Sequence, residues 1–180
     1  MPTGCSKIRL ARRDSPTHPL ENIEILPPLT EEDRQWLTHL WQVEWGGDTM
    51  VTRGQVYRLT NLHALVCKVS GKLAGAATYR FDNTGCELMS LNALTQGSGV
   101  GTALVKAVEA EARKTGCRRL WLITSNDNLD ALRFYQRRGF RITAVYPDAV
   151  DEARRMKPTI PLTGENGIEI HDEIELAKAL

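Results

Sequence analysis

The sequence lacks long apolar runs and lacks an excess of charge of either sign. No stretch approaches the roughly 20 consecutive apolar residues of a membrane-spanning helix, so a membrane protein is not expected. The 23 Lys and Arg residues nearly balance the 22 Asp and Glu residues, so no overall field attracts nucleic acid or lipid headgroups. We therefore expect a small-molecule partner.

Closely spaced metal ligands and a secretory leader are missing as well. The four cysteines and four histidines form no C-x-x-C, H-x-H or H-x-x-x-H pair, so no metal is expected. The basic residues near the N-terminus precede no apolar segment, which argues against a secretory signal. The resulting expectation is a cytoplasmic protein.

The remaining composition predicts one globular domain. With 180 residues, of which 42% are hydrophobic, the chain can bury a sizeable core. Residues 1–22 are rich in Pro, Ser, Thr and Arg without periodicity, so we expect a poorly ordered N-terminal arm there. Residues 23–180 would form the single domain.

Periodicity and turn residues predict a series of strands and helices. Thr30 precedes apolar residues at helical spacing, which predicts a capped helix. Two β-prone runs, 63–69 and 72–81, flank a Ser-Gly turn and predict a hairpin. Residues 46–62 show weak periodicity and are predicted as a loop with short irregular helix. The other predicted elements are strands over 86–94, 117–124 and 141–147, helices over 102–114, from Asp127 or Asn128 onwards and over 148–157, and a terminal strand that includes Ile168, Ile170, Ile174 and Leu176.

The sequence GSGVG lies between a predicted strand and a predicted helix. A turn of this kind suits phosphate, because backbone N–H groups and the helix dipole both favour an anion. Thr102 and Ala103 stand where a P-loop requires Lys and Ser or Thr, which excludes that motif. The glycine spacing does not match the dinucleotide fingerprint either. The pattern that remains is Gln96-x-x-Gly99-x-Gly101, which by itself also fits an ordinary tight turn.

A second motif lies downstream of the glycine-rich loop. The pattern N-x-x-A-x-x-F-Y-x-x-x-G-F is formed by Asn128, Ala131, Phe134, Tyr135, Gly139 and Phe140. Together with the glycine-rich motif and the strand-rich first half, it resembles the GNAT superfamily of acyl-CoA-dependent N-acyltransferases over about residues 23–145. The C-terminal segment also resembles bacterial members whose substrate is unassigned.

The resemblance implies an α/β (α+β) architecture, the GNAT fold. Its central sheet would be mixed and mostly antiparallel, with about six to seven strands and helices on both faces. Strands 86–94 and 117–124 would lie parallel to each other and splay apart at the acetyl-CoA site.

The resemblance further implies acetyl-CoA as the co-substrate. Its pyrophosphate would bind backbone N–H groups of the glycine-rich loop, and its pantetheine arm would lie along strand 86–94. This strand reaches the loop through fewer residues than is usual in the family, so we expect a tighter turn. The residues assigned to the cofactor on this basis are Leu91, Ala93, Leu94, Gln96, Gly97, Ser98, Gly99, Val100, Gly101, Thr102, Asn128, Ala131 and Tyr135.

Two residues are candidates for proton transfer. Tyr135 matches the family tyrosine that protonates the departing thiolate, and a phenol stays protonated at pH 7; its alternative role is packing. Glu87 is the candidate base for the amine proton, acting directly or through water, and its alternative is an exposed strand-edge glutamate. Asn128 could cap its helix, contact the pantetheine, or do both.

The predicted acceptor is a primary amine of a small molecule, which would attack the thioester directly in a ternary complex. Trp45, Arg53 and Tyr57 are the candidate substrate residues, because the first helix and the loop after it would build the acceptor site. Acetylation of a protein or peptide amine is an alternative, and a non-catalytic acyl-CoA sensor is a rival from a different class. A sensor needs neither the acid Tyr135 nor the base Glu87. By family analogy alone, a homodimer is an option.

Overall fold

The computed structural model describes residues 22–164 and 166–180. The predicted arm over residues 1–22 lies outside the described residues except for its last position. The elements are β1 (Ile23–Leu26), α1 (Glu31–Trp45), β2 (Thr49–Thr52), β3 (Gln55–Arg58), β4 (His63–Val69), β5 (Lys72–Asp82), β6 (Gly85–Ala93), α2 (Val100–Lys114), β7 (Arg119–Ser125), α3 (Leu129–Gln136), β8 (Arg141–Tyr146), α4 (Ala149–Met156) and β9 (Glu173–Ala179).

Seven of the strands form one twisted sheet in the order β1-β4-β5-β6-β7-β9-β8. Every neighbouring pair in it is antiparallel except β6 and β7, which are parallel. The last strand, β9, inserts between β7 and β8. The predicted mixed, mostly antiparallel sheet with one parallel pair is confirmed.

Helices cover both faces of this sheet. On one face, Leu104 and Val108 of α2 and Tyr135 of α3 pack in a core cluster with Leu88 of β6. On the other face, α1 packs through a separate cluster that includes Trp41. Alternate residues along the strands belong to the two clusters, because successive side chains of a strand point to opposite faces of the sheet. The predicted placement of helices on both faces is therefore confirmed.

Strands β6 and β7 pair over a very short length. Their register contains only the pairs Cys86 with Leu120 and Glu87 with Trp121, although both strands continue beyond these residues. A bulge in β6 at Met89 interrupts its register with β5, and a bulge increases the local twist of a strand. The two strands consequently diverge towards the glycine-rich loop, as the family resemblance implies.

The helix ends follow the capping signals in the sequence. At α1, Thr30 and Asp33 exchange backbone and side-chain hydrogen bonds of 3.1 and 3.2 Å, which is the capping box. At α3, the Asn128 side chain accepts from the backbone N–H of Ala131 at 3.0 Å. Helix α2 begins at Val100, two positions before the predicted start.

The prediction of a loop with irregular helix over residues 46–62 is wrong. Strands β2 and β3 form a hairpin there, and only Leu59–Asn61 is helical, as a short 3-10 turn. Arg53 and Gly54 make its turn with φ of 49° and 68°. Two-residue hairpin turns with positive φ at both positions favour Asn or Gly at the first position, so Arg53 did not indicate a hairpin.

The terminal strand is also shorter than predicted. Ile168 and Ile170 precede β9, which begins at Glu173. Ile170 instead packs in a small core cluster with Val150 and Ala153 of α4, because the chain turns before it joins the sheet.

Candidate active site

A cleft of about 650 Å³ opens between the loop after β6, the N-terminus of α2 and helix α3. Its position, at the end where β6 and β7 diverge, follows from the sheet topology. It is lined by Ala93, Thr95, Gln96, Gly97, Ser98, Gly99, Gly101, Thr102, Asp130, Arg133, Phe134, Arg137 and Arg138. The structure thus brings most of the loop residues assigned to the cofactor to one concave surface.

Glycines shape the loop that closes one side of this cleft. Gly97 and Gly99 have φ of 76° and 82°, a region that other residues reach only with strain. Gly101 lies against α3, since a Cβ there would stand 3.3 Å from the ring of Phe134. No side chain of these glycines therefore covers the first free N–H groups of α2, which face the cleft. Exposed N–H groups at a helix N-terminus favour binding of an anion.

Three arginines of α3 and the turn after it, Arg133, Arg137 and Arg138, add positive charge to the cleft. The Arg138 guanidinium lies 3.5 Å above the Phe134 ring and donates to Thr102 Oγ1 at 3.1 Å through Nε. Burial, helped by the neighbouring Arg137, lowers its pKa. None of the three is among the residues assigned to the cofactor from the sequence, and the structure places all three at the cleft.

Tyr135 lies in the core beneath the cleft. It is 1% exposed, and its ring centroid is 5.1 Å from that of Phe134 and 5.2 Å from that of Phe140. Burial raises the pKa of Tyr135 well above its ordinary value, so the phenol keeps its proton. It belongs to the same cluster as Leu91 and Ala93 of β6, which are predicted to flank the pantetheine.

Glu87 lies on the opposite face of β6, and it is 1% exposed. The alternative of an exposed strand-edge glutamate is therefore wrong. Arg80, its partner across β5 and β6, donates to Glu87 Oε2 from Nε at 2.8 Å and contacts the same oxygen through Nη2 at 2.8 Å. Arg80 also pairs with Asp82 at 2.9 Å. No pattern in the sequence predicts this ion pair.

The predicted acceptor residues approach this face of the sheet from the β2–β3 hairpin. The Arg53 guanidinium lies 5.5 Å from the ring of Trp121 and 5.2 Å from that of Tyr146. Tyr57 lies 4.9 Å from the Arg80 guanidinium, and burial raises its pKa. Arg53 and Tyr57 are thus brought together with Glu87, in part by hairpin geometry that the sequence did not predict.

Trp45 is separated from these residues at the end of α1. It is 3% exposed and packs in the α1 core with Trp41, at a ring-centroid distance of 6.4 Å. It also lines a small cavity beside β2 and β7. Trp45 therefore packs in the core and also forms part of the wall of this second concave site.

Sequence reasoning missed two buried polar residues where β6 and β7 diverge. Asn92 is 3% exposed, and within the described ranges both polar atoms of its amide lack a hydrogen-bond partner. Thr124 is 1% exposed, and its Oγ1 is also unpartnered there. Buried polar groups normally have hydrogen-bond partners. A polar residue within an apolar strand, such as Asn92 between Leu91 and Ala93, could therefore have indicated a functional position from the sequence.

Neither a metal cluster nor a membrane-spanning helix is found among the described residues. Across 22–164 and 166–180, no group of three or more His, Cys, Asp or Glu is placed to hold a metal ion. Of the helices in these ranges, none combines the length and apolar character needed to cross a membrane.

Comparison with known proteins identifies the family of this chain. The family model "Acetyltransferase (GNAT) family" matches residues 26–140. The uncharacterized protein YdhI of Bacillus subtilis is 40% identical over 157 residues, which cover 87% of this chain and 98% of that protein. The chain belongs to the GNAT family of acetyltransferases, and the predicted class, an acyl-CoA-dependent acetyltransferase, is confirmed.

Solved structures share the fold at lower identity. A Bacillus subtilis acetyltransferase in complex with CoA is 19% identical with a TM-score of 0.65, covering 88% of this chain and 99% of that one. A GNAT family acetyltransferase from Elizabethkingia anophelis with acetyl-CoA bound is 22% identical with a TM-score of 0.63, covering 89% and 99%. At these identities the likeness supports the fold alone.

Proposed function

We propose that the protein transfers the acetyl group of acetyl-CoA to a primary amine of a small molecule, by direct attack in a ternary complex. The observation that carries this proposal is the cleft at the N-terminus of α2, which opens where β6 and β7 diverge. The solved relatives with CoA or acetyl-CoA bound share this fold and support the choice of donor.

Donor binding uses the loop and the arginines around it. The pyrophosphate accepts hydrogen bonds from N–H groups between Gly97 and Thr102, where the helix dipole favours negative charge. Arg133 and Arg137, which line the same cleft, are placed to meet the remaining phosphate charge. The pantetheine arm follows Leu91 and Ala93 into the space between the diverging strands.

The chemical step transfers one acetyl group from sulfur to nitrogen and includes two proton transfers. The amine nitrogen attacks the thioester carbon, and the carbon–sulfur bond then breaks to release the thiolate. Tyr135 donates its proton to the sulfur, and Glu87 accepts the proton lost by the amine, directly or through water. A base is useful because deprotonating an amine of pKa about 10 costs roughly 4 kcal/mol at pH 7.

The acceptor approaches from the face of the sheet that carries the β2–β3 hairpin. Arg53 and Tyr57 border Glu87 and Trp121 on this face. Glu87 and Trp121 are both nearly inaccessible, which favours a small amine over an amine carried on a folded protein surface.

Two measurements test this function separately. Acetyl-CoA should raise the Tm of the protein, since a ligand at about one hundred times its Kd adds roughly 2.7 kcal/mol of stability. An amine acceptor should then release free CoA thiol from acetyl-CoA. A Tm shift without thiol release over a broad amine panel would indicate an acyl-CoA sensor, and no Tm shift would contradict the donor site itself.

A further inference from the structure

Strand β6 has one apolar face and one polar face. The apolar face includes Leu91 and Ala93, which pack in the core cluster with α2 and α3. The polar face lies towards α1 and carries three side chains that are at most 3% exposed: Glu87, Ser90 and Asn92. Burying a row of polar groups is costly unless each of them has a partner.

The pairing of β5 with β6 places Asn92 on this polar face. Its partner on β5 is Ala76, which belongs to the cluster that packs against α1. Residues directly opposite each other in paired strands project to the same face of a sheet. Asn92 therefore shares the acceptor face, the one that carries the β2–β3 hairpin, with Glu87, which stands five residues earlier.

Two members of the polar row have partners, whereas Asn92 does not. Glu87 is bound by Arg80, and the Ser90 hydroxyl lies 2.6 Å from that of Thr78. Neither polar atom of the Asn92 side chain has a hydrogen-bond partner within the described residues. An unpaired buried carboxamide costs stability. Its two atoms suit a ligand that offers one acceptor and one donor.

The edge of β6 next to this carboxamide is free for the donor. The backbone N–H of Leu94 donates to the carbonyl oxygen of Ala74 on β5 at 2.9 Å, and successive N–H groups of a strand point to alternate edges. The N–H groups of Ala93 and Leu91 therefore point to the other edge of β6. Strand β7 leaves this edge open, because its pairing with β6 ends at Glu87. The pantetheine arm is proposed to lie along this edge.

We propose that the Asn92 carboxamide is a catalytic group that aligns the two reactants. Its Nδ2–H donates to the carbonyl oxygen of the thioester, and its Oδ1 accepts an N–H of the neutral attacking amine. The thioester thus supplies an acceptor and the amine supplies a donor, which are the two partners that the side chain lacks. This inference rests on the proposed acetyl transfer, because it assigns a further residue to that reaction.

Asn92 stabilises the developing charge without exchanging a proton. As the amine nitrogen bonds to the carbonyl carbon, the π electrons of the carbonyl move to its oxygen, and the hydrogen bond from Nδ2 strengthens. The intermediate then collapses, the carbon–sulfur bond breaks, and Tyr135 protonates the sulfur. The amine proton reaches Glu87 through water, since Glu87 stands five residues away along the strand.

Stability measurements separate this role from a structural one. Asn92→Leu replaces an unpaired carboxamide by an apolar side chain of similar shape, so the Tm of the unliganded protein should stay equal or rise. Thr78→Val is the matched control. It also makes a buried polar residue of this face apolar, but it leaves the Ser90 hydroxyl without its partner and should lower the Tm. A loss of Tm in Asn92→Leu as large as that in Thr78→Val would overturn the proposal.

Binding of acetyl-CoA and of CoA gives a readout without turnover. Because CoA lacks the acyl carbonyl, the ratio of the Kd of CoA to the Kd of acetyl-CoA should fall about fivefold in Asn92→Leu, as for one lost hydrogen bond. Thr78→Val should keep the wild-type ratio. Asn92→Ala repeats the test with a smaller side chain. An unchanged ratio in both Asn92 variants would contradict the contact with the carbonyl.

Kinetics provide the last readout. With a small amine as the acceptor, Asn92→Leu should lower kcat about 10²-fold, as for loss of one oxyanion-hole donor, whereas Thr78→Val should retain the wild-type kcat. A wild-type kcat in Asn92→Leu would refute the role of Asn92 but leave acetyl transfer intact. A reduced Kd ratio in Asn92→Leu, without thiol release by the wild type with any amine, would refute the proposed function but leave the carbonyl contact intact.

Discussion

Arg80 holds Glu87 by two contacts of 2.8 Å to one carboxylate oxygen, Oε2. The pair joins β5 to β6 across the sheet, and the Tyr57 ring lies 4.9 Å from the same guanidinium. The carboxylate proposed as the base is thus fixed in position between the sheet and the β2–β3 hairpin. Because a buried ion pair also has a structural role, catalysis by Glu87 must be separated from simple loss of that pair.

Glu87→Gln should lower kcat by about 10²-fold or more, as for loss of a general base, with the KM of acetyl-CoA unchanged. The variant keeps the side-chain shape, so acetyl-CoA should still shift its Tm. Asp82→Asn is the control, because it removes another Arg80 partner, at 2.9 Å, without touching Glu87. A kcat of Glu87→Gln equal to that of the wild type, or an equal loss of kcat in Asp82→Asn, would rule out the base assignment.

Tyr135→Phe should lower kcat about tenfold or more while leaving the KM of acetyl-CoA unchanged, because the phenol is proposed to act only as the thiolate leaves. Its ring packing against Phe134 and Phe140 is retained in the variant, so the Tm should change little. Tyr79→Phe removes a hydroxyl from a second buried tyrosine of the same core cluster and should keep full activity. Equal kcat values for Tyr135→Phe and the wild type would contradict the acid assignment and would mean that Tyr135 only packs in the core.

Gly97→Ala should weaken acetyl-CoA binding, because the strained loop would redirect the N–H groups that face the cleft. Gly71→Ala is a close control: both glycines have φ of 76°, and a Cβ at either meets nothing within 4 Å. Alanine at either site should cost about 1–2 kcal/mol of stability. Only Gly97→Ala should also raise the Kd of acetyl-CoA, about fivefold for one lost hydrogen bond. Calorimetric titration of the three proteins measures this, and similar Kd values throughout would contradict the loop assignment.

His171 should make stability depend on pH near neutrality. Hydrogen bonds to Asp151 at 2.7 Å and Glu169 at 3.3 Å raise its pKa above 6.5. A group whose pKa is raised on folding stabilises fully below its unfolded value and loses this contribution as pH rises through its folded value. The wild type should therefore exceed His171→Gln in stability at pH 5.5, with the gap closing above the folded pKa. Urea titrations at several pH values test this, with His39→Gln, at an exposed position on α1, as control; a gap that is constant with pH would contradict it.

Local signals were enough to predict much of the fold. Thr30 and Asn128 cap their helices as predicted, since a side-chain oxygen near free N–H groups acts over a few residues. The hairpin of β4 and β5 and the parallel pair of β6 and β7 were also predicted. The first came from two β-prone runs on either side of a Ser-Gly turn, whereas the second came from resemblance to a family.

Features that depend on distant pairing were not predictable in the same way. Arg53 at the β2–β3 turn adopts a positive φ against its own preference, held there by hairpin pairing and by the rings of Trp121 and Tyr146. Glu173 lines the small cavity beside Trp45 only because β9 inserts between β7 and β8. No pattern in the sequence near Glu173 marks that insertion, which is why the small cavity was not predicted.

The central claim is acetyl transfer from acetyl-CoA to a small primary amine, and thiol release measured over an amine panel tests it most directly. The panel should contain alkylamines, polyamines, aminoglycosides, amino acids, aryl amines and N-terminal peptides. The account predicts CoA release that depends on the amine, saturates with a small alkylamine and is about tenfold or more slower in Tyr135→Phe. Release only with peptides, or no release with any amine despite bound acetyl-CoA, would contradict it.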